Sequence, residues 1–187
     1  MSVAKTIATL AAIGAAGALL CMPAASLAEA GATNAVATGK TPTAAERKLL
    51  RSPQLWATID VCKPADQPDT VGVRGSMPGD EFSKDEMYMS FRLQYLDETT
   101  KQWVDLSNTT PAYIPVGAAK TARQGGSSFE LQPVTGKPPF KMRGVVDFQW
   151  RRGTTVEYTV SRPTTAGHES LAGADPKGFS AAECSLS

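Results

Sequence analysis

The stretch Met87-Tyr-Met-Ser-Phe-Arg-Leu-Gln-Tyr95 decides the fold. Met87, Met89, Phe91, Leu93 and Tyr95 recur at every second position, with Ser90, Arg92 and Gln94 between them. A helix would scatter five such large residues around a cylinder, whereas a strand gathers them on one face. Phe140 to Arg151 repeats the pattern. Phe140, Met142, Gly144, Val146, Phe148 and Trp150 alternate with Lys141, Arg143, Val145, Asp147, Gln149 and Arg151. Arg152-Gly153 can turn the chain, and Thr155 to Arg162 returns with Val156, Tyr158 and Val160 inward.

Working outward, Leu55, Ala57, Ile59 and Val61 alternate with Trp56, Thr58, Asp60 and Cys62 in a first strand. Val71 and Val73 mark a second. Asp97-Glu-Thr-Thr100 reads as a turn into a hairpin strand over Gln102 to Leu106. Residues 107–127, with Pro111, Pro115, Gly117 and Gly125-Gly126, read as a long connection. Phe129 and Leu131 mark a further short strand. Seven alternating strands joined by turn-rich links predict an all-β fold, an antiparallel β-sandwich whose sheets each keep one wet face. Thr43-Ala-Ala-Glu46 is a capping box that predicts a short helix over 44–51, with Leu49 and Leu50 facing the domain and Pro53 ending it.

The ends place the chain outside the cytoplasm. Residues 1–28 have the three parts of a secretory signal: Lys5, the apolar run Ile7 to Leu20, and the small residues Ser26 and Ala28 before a cleavage point. The apolar run is shorter than the roughly 20 residues a span requires, and Pro23 and Ser26 keep it from extending. The expected protein is secreted, with no transmembrane segment after cleavage. Its rival is a lipid anchor at Cys21, for which Leu20 is a poor preceding residue.

Removing residues 1–28 from the 187 leaves about 160, the size of one domain with a core of its own. Losing Lys5 takes the net charge from +1 to neutral. A neutral chain has no global electrostatic reason to seek nucleic acid. Residues 29–42 are Ala, Gly and Thr with little of size, and read as a flexible linker. The domain then runs over 43–187.

Of three cysteines, Cys62 and Cys184 survive cleavage. An oxidising compartment favours their pairing into one disulfide, which would pin the Gly- and Ala-rich tail, Pro163 to Ser187, back onto the first strand.

This organisation resembles the immunoglobulin-like β-sandwich superfamily. The stretch Gly144-Val-Val-Asp-Phe-Gln-Trp-Arg151, followed by Thr155-Val-Glu-Tyr-Thr-Val160, is similar to exported actinobacterial β-sandwich proteins without an assigned function. So is the tail with Gly167-His168, Ala174-Asp175-Pro176, Ser180 and Cys184. The resemblance covers roughly residues 53–187 and implies a bacterial source. The bridge departs from antibody domains, which join two central strands across the core. No catalytic residues come with the resemblance.

Chemistry-bearing patterns are sparse. His168 is the single histidine, and Gly-x-Ser-x-Gly is absent, so a triad has little to build on. It reads as a surface-loop residue. Paired cysteines leave no thiol nucleophile, and zinc lacks ligands. Asp80, Glu81, Asp85 and Glu86 form an acidic cluster without the ligand alternation of a calcium loop, and read as a solvated loop guarding a sheet edge. Lys141, Arg143 and Arg151, with Arg152 in the turn, form a basic stripe. It reads as the wet face of a sheet, balanced by Asp147 and Glu157.

Trp56 and Tyr88 fall on outward faces. Such rings stack on sugars, or are covered by 107–127 or by the N-terminal helix. Asn108-Thr-Thr110 is a formal glycosylation sequon, read as an ordinary loop in a bacterial protein. The sequence therefore predicts no catalytic residues, no metal and no cofactor. It predicts an exported, non-catalytic binding or structural module at or outside the cell envelope, its partner an unidentified protein or a cell-envelope glycan. The alternative is a carbohydrate-binding module using Trp56 and Tyr88.

Overall fold

The computed structural model describes residues 42–106, 112–132, 136, 138–168 and 173–187. The predicted signal, Cys21, the linker up to residue 41 and the sequon lie outside them. The described chain is mostly antiparallel β, with one short helix, and no described helix is long and apolar enough to cross a membrane.

The helix α1, Ala44–Leu50, begins where the capping pattern places it. Thr43 Oγ1 accepts from the Glu46 N–H at 3.1 Å, satisfying one of the first-turn donors that a helix leaves open. Leu49 is buried and Leu50 half-buried.

Among the described residues nine strands come after it: β1 Trp56–Cys62, β2 Thr70–Met77, β3 Asp85–Asp97, β4 Gln102–Asp105, β5 Ile114–Ala118, β6 Arg123–Glu130, β7 Phe140–Arg152, β8 Thr155–Pro163 and β9 Cys184–Leu186. One sheet runs β1-β2-β6. The other runs β4-β3-β7-β8, with β5 also on β3 and β9 also on β7. Every named pairing is antiparallel.

The alternation predicted for the two long strands holds. Met87, Met89 and Leu93 of β3 are fully buried, as are Met142, Val146, Phe148 and Trp150 of β7. They meet Ile59, Val71, Val73 and Met77 of the smaller sheet in one core. Four fully buried methionines fill a space between curled sheets that rigid branched side chains would fit less easily.

At several glycines the facing sheet leaves little room for a side chain. Gly75 faces Gly125 across β2 and β6. A Cβ on Gly75 would lie 3.1 Å from both Phe148 Cε1 and Val146 Cγ1 of the facing sheet. At Gly144 the added Cβ would come within 2.7 Å of both Val73 γ-methyl carbons.

Three expectations are corrected. The predicted connection over 107–127 contains β5 and the start of β6. Pro115 and Gly117 are tolerated because β5 is an outer strand paired on one side, and Gly125 faces Met89 of the other sheet, whose sulfur would lie 3.3 Å from an added Cβ. Val156, expected inward, is exposed, because the β7–β8 register shifts between Trp150 and Arg151. Val145, on the outward face, is nevertheless buried at 4% exposure.

The tail is structured beyond its bridge. The Ile59 N–H donates to the Ala181 carbonyl at 2.9 Å and the return bond is 3.0 Å, so the tail lies along the outer edge of β1. It then crosses to pair β9 with the start of β7. The Cys62–Cys184 disulfide, Cα atoms 5.8 Å apart, therefore ties the end of β1 in one sheet to β9 in the other.

Candidate functional site

The outward face of the β4-β3-β7-β8 sheet gathers most of the chain's arginine–aromatic chemistry. The β3–β7 register sets Glu86 against Arg151, Tyr88 against Gln149, Ser90 against Asp147 and Gln94 against Arg143. Polar residues at every second position of two long antiparallel strands thus become one continuous surface.

At one end, the Arg151 guanidinium carbon sits 4.0 Å from the Tyr88 ring centroid and 5.0 Å from that of Tyr113. Its Nε and Nη2 both donate to Gln149 Oε1, at 2.8 and 2.6 Å. The Tyr88 hydroxyl donates to Glu86 Oε2 at 2.8 Å, and that bond holds its proton on, raising the phenol above its ordinary pKa. Desolvation, with the charge of Asp147, does the same to Tyr113.

At the other end the arrangement recurs. Arg143 lies 4.5 Å over the Trp103 ring and its Nε donates to Gln94 Oε1 at 2.8 Å. In the middle, Arg92 is shared between Asp147 and Asp105, and the Ser161 hydroxyl donates to Asp147. Ser90 is buried beside them, its hydroxyl with no hydrogen-bond partner among the described residues.

The basic stripe thus divides. Lys141 pairs with Glu183 at 3.3 Å, and Arg152 with Asp85 at 2.7 Å and Glu157 at 3.8 Å. Asp147, expected to balance the stripe, is taken by Arg92 from the neighbouring strand. The sequence pattern does not single out Trp103, Tyr113 or Arg92. The outward parity of β4 could have found Trp103, whereas the position of Tyr113 depends on how the chain enters β5.

Trp56 and Tyr88 are not brought together. Trp56 belongs to the β1-β2-β6 sheet and Tyr88 to the other, each turned away from the shared core. Both are half-buried. Trp56 is covered by His168, whose ring stacks on it at 4.2 Å and 14°. His168 is therefore half-buried rather than a free surface residue, and desolvation lowers its pKa. Its backbone N–H donates to Ser180 Oγ at 2.9 Å, and Thr165 Oγ1 lies 3.4 Å from Nε2.

The acidic cluster is also not simply solvated. Asp85 is completely buried and takes two hydrogen bonds from Arg152, Nε to Oδ1 at 2.8 Å and Nη2 to Oδ2 at 2.7 Å. That fork holds its carboxyl below the ordinary carboxylate pKa. Asp80 beside it goes the other way. Its Oδ1 accepts from the Phe82 N–H at 2.9 Å while Oδ2 is buried with no donor bonded to it among the described residues, and desolvation, then the contact with the Asp85 carboxyl and its charge, raise its pKa. Among the described residues no three His, Cys, Asp or Glu side chains converge to hold a metal ion. The same loop walls a groove of about 760 Å³ against α1, lined by Ala45, Leu49, Pro53, Pro78, Phe82 and Tyr158.

No family model matches the chain, and no curated protein does. Among solved structures the chain is similar to the alkylpurine DNA glycosylase AlkC of Pseudomonas fluorescens, bound to DNA containing an abasic-site analogue. Identity is 11%, and the match covers 59% of this chain and 29% of that one at a TM-score of 0.28. The chain thus spans under a third of that protein, and an overlap so low relates neither fold nor activity.

Proposed function

We propose that this is an exported, non-catalytic binding module working at or outside the cell envelope, and that its working surface is the outward face of the β4-β3-β7-β8 sheet. The observation that carries the reading is the repeated unit on that face: a guanidinium stacked on an aromatic ring and oriented by a glutamine, once at Arg151 and once at Arg143. Such units are a costly way to solvate a sheet, because each immobilises long side chains. They are a ready way to present flat, partly desolvated recognition surface.

The immunoglobulin-like architecture belongs to the same proposal. Its support is the sheet order. β1-β2-β6 against β4-β3-β7-β8 matches strands A-B-E against C′-C-F-G of such domains, with β5 and β9 as additions. The proposed location is outside the cell, free after cleavage at Ala28 or anchored at Cys21.

The test is retention of the purified domain on insoluble cell-envelope glycan. Wild type should be retained, and the variant Tyr88→Ala/Trp103→Ala should be lost from the pellet while keeping its melting curve. Equal retention of both, or of neither, would remove the reading. The sugar platform of Trp56 and Tyr88 is the weaker alternative, because one ligand chain would have to reach two sheets. Trp56→Ala should leave retention unchanged.

A further inference from the structure

The two stacked arginines differ from the other cations that β3 and β7 place on the outward face. Arg92 and Lys141 each have a carboxylate within ion-pair distance. Among the described residues Arg143 and Arg151 have none; Arg143 is held by Gln94 and Trp103, and Arg151 by Gln149, Tyr88 and Tyr113. A guanidinium carries five N–H donors in a planar fork. Stacking fixes its plane and a single amide oxygen uses one edge, so the remaining edge is oriented and unspent. That is the geometry that takes a carboxylate with two parallel bonds.

Position supplies the second half of the argument. Arg143 and Arg151 lie eight residues apart on one strand and one face, a span of about 25 Å at strand rise. No small anion touches both; a polymer can. The surface between them is not uniformly basic. Asp147 lies between them, Glu86 stands opposite Arg151, Asp105 sits beside Gln94 at the Arg143 end, and Arg92 is held by Asp147 and Asp105, so a densely charged polymer such as nucleic acid or polyphosphate finds no continuous cationic track. The rest of that interval carries the hydroxyl and amide groups of Gln149, Thr159, Ser161 and Gln94, beside the covered Val145 and the ion-paired Arg92. Widely spaced anions joined by polyhydroxylated, ring-bearing stretches match this alternation, and aromatic faces at both ends suit sugar rings.

We infer that Arg143 and Arg151 are anion-recognition residues for an acidic polysaccharide that lies along β7, its carboxylates meeting the two guanidiniums and its neutral rings the residues between. The inference rests on the binding-module reading and narrows it to a ligand class.

The probe is polygalacturonate methyl-esterified on most of its rings, so that its free carboxylates are widely spaced, with the fully methyl-esterified form as the same polymer without charge and polyglutamate as a polyanion without rings. Calorimetric titration of the disulfide-intact protein should show polygalacturonate binding at least tenfold tighter than either. Arg143→Gln and Arg151→Gln should each lose about tenfold. Arg143→Lys/Arg151→Lys keeps the charge and should still fail to recover wild-type affinity, since a lysine neither stacks flat nor forks. Melting curves confirm that each variant is folded.

Equal binding of the esterified polymer would sink the anion inference while leaving a glycan-binding module in place. Polyglutamate binding as tightly would replace it with a general polyanion surface. No binding of polygalacturonate by a protein that is still retained on envelope glycan would overturn the ligand class alone. No binding of either would overturn both readings.

Discussion

Removing the disulfide with Cys62→Ala/Cys184→Ala should destabilise the domain mainly through its unfolded state. The two residues are 122 apart in sequence, so the bridge closes a loop containing nearly the whole folded segment. In the chain-entropy model a loop of that length restricts the unfolded chain by about 5 kcal/mol. The native side gives a smaller effect. Cys184 is buried, but the tail keeps Leu186 in the core, the β9 ladder on β7 and the Ile59–Ala181 pair on β1. Equilibrium unfolding in urea should therefore show a loss of roughly 3–5 kcal/mol.

A second signature separates the mechanism from simple loss of packing. An unbridged unfolded chain exposes more surface, so the slope of free energy against urea should rise in the variant. Amide exchange in β9 should stay protected under native conditions, because the tail's hydrogen bonds survive. A loss below about 1 kcal/mol with an unchanged slope would refute the reasoning. A disordered tail in the variant would show instead that the bridge, and not the ladder, holds the last strand.

The packing and the charges give two further outcomes. Gly144→Ala should cost about 1–3 kcal/mol by thermal or chemical unfolding, since its methyl would meet both Val73 γ-carbons at 2.7 Å; adding Val73→Ala should recover part of the loss. Asp80→Asn should raise the melting temperature at neutral pH. The folded-state pKa of Asp80 is raised, so its penalty is absent below the ordinary carboxylate value of 3.8 and grows as pH rises through the folded value. The gain should vanish in acid, where both side chains are uncharged, and melting curves at several pH values decide it.

The strands that pack their large side chains on one core face were legible as strands. β3, β7 and the helix cap announce themselves by parity and by Thr43–Glu46, because local pattern and burial agree there. β5 and the start of β6 were not legible. Their glycines and prolines answer to a neighbouring sheet and an outer pairing, which no local window contains. The disulfide came from counting cysteines, yet the tail's path along β1 and over to β7 needed the partner strands. For the site, the outward parity of Tyr88, Arg143 and Arg151 was readable. What joins them was not: which ring lies over which guanidinium depends on the β3–β4 and β3–β7 registers and on how Tyr113 enters β5. Trp56 shows the opposite failure. Its outward parity offered a free ring or one covered by the helix or by 107–127, and a histidine over a hundred residues away covers it.

The chain's three tryptophans allow the most direct test of where it works. Trp103 lies on the proposed surface, Trp56 lies in the other sheet under His168, and Trp150 is fully buried with its indole N–H donating to the Pro78 carbonyl at 3.0 Å. Their indole N–H resonances can be tracked together by two-dimensional nitrogen–proton NMR while soluble envelope glycan is added. The account predicts that the Trp103 signal moves and saturates while those of Trp56 and Trp150 stay in place. Movement of Trp56 with Trp103 at rest would contradict it and shift the working surface to the other sheet; three unmoved signals would contradict the assignment to glycan.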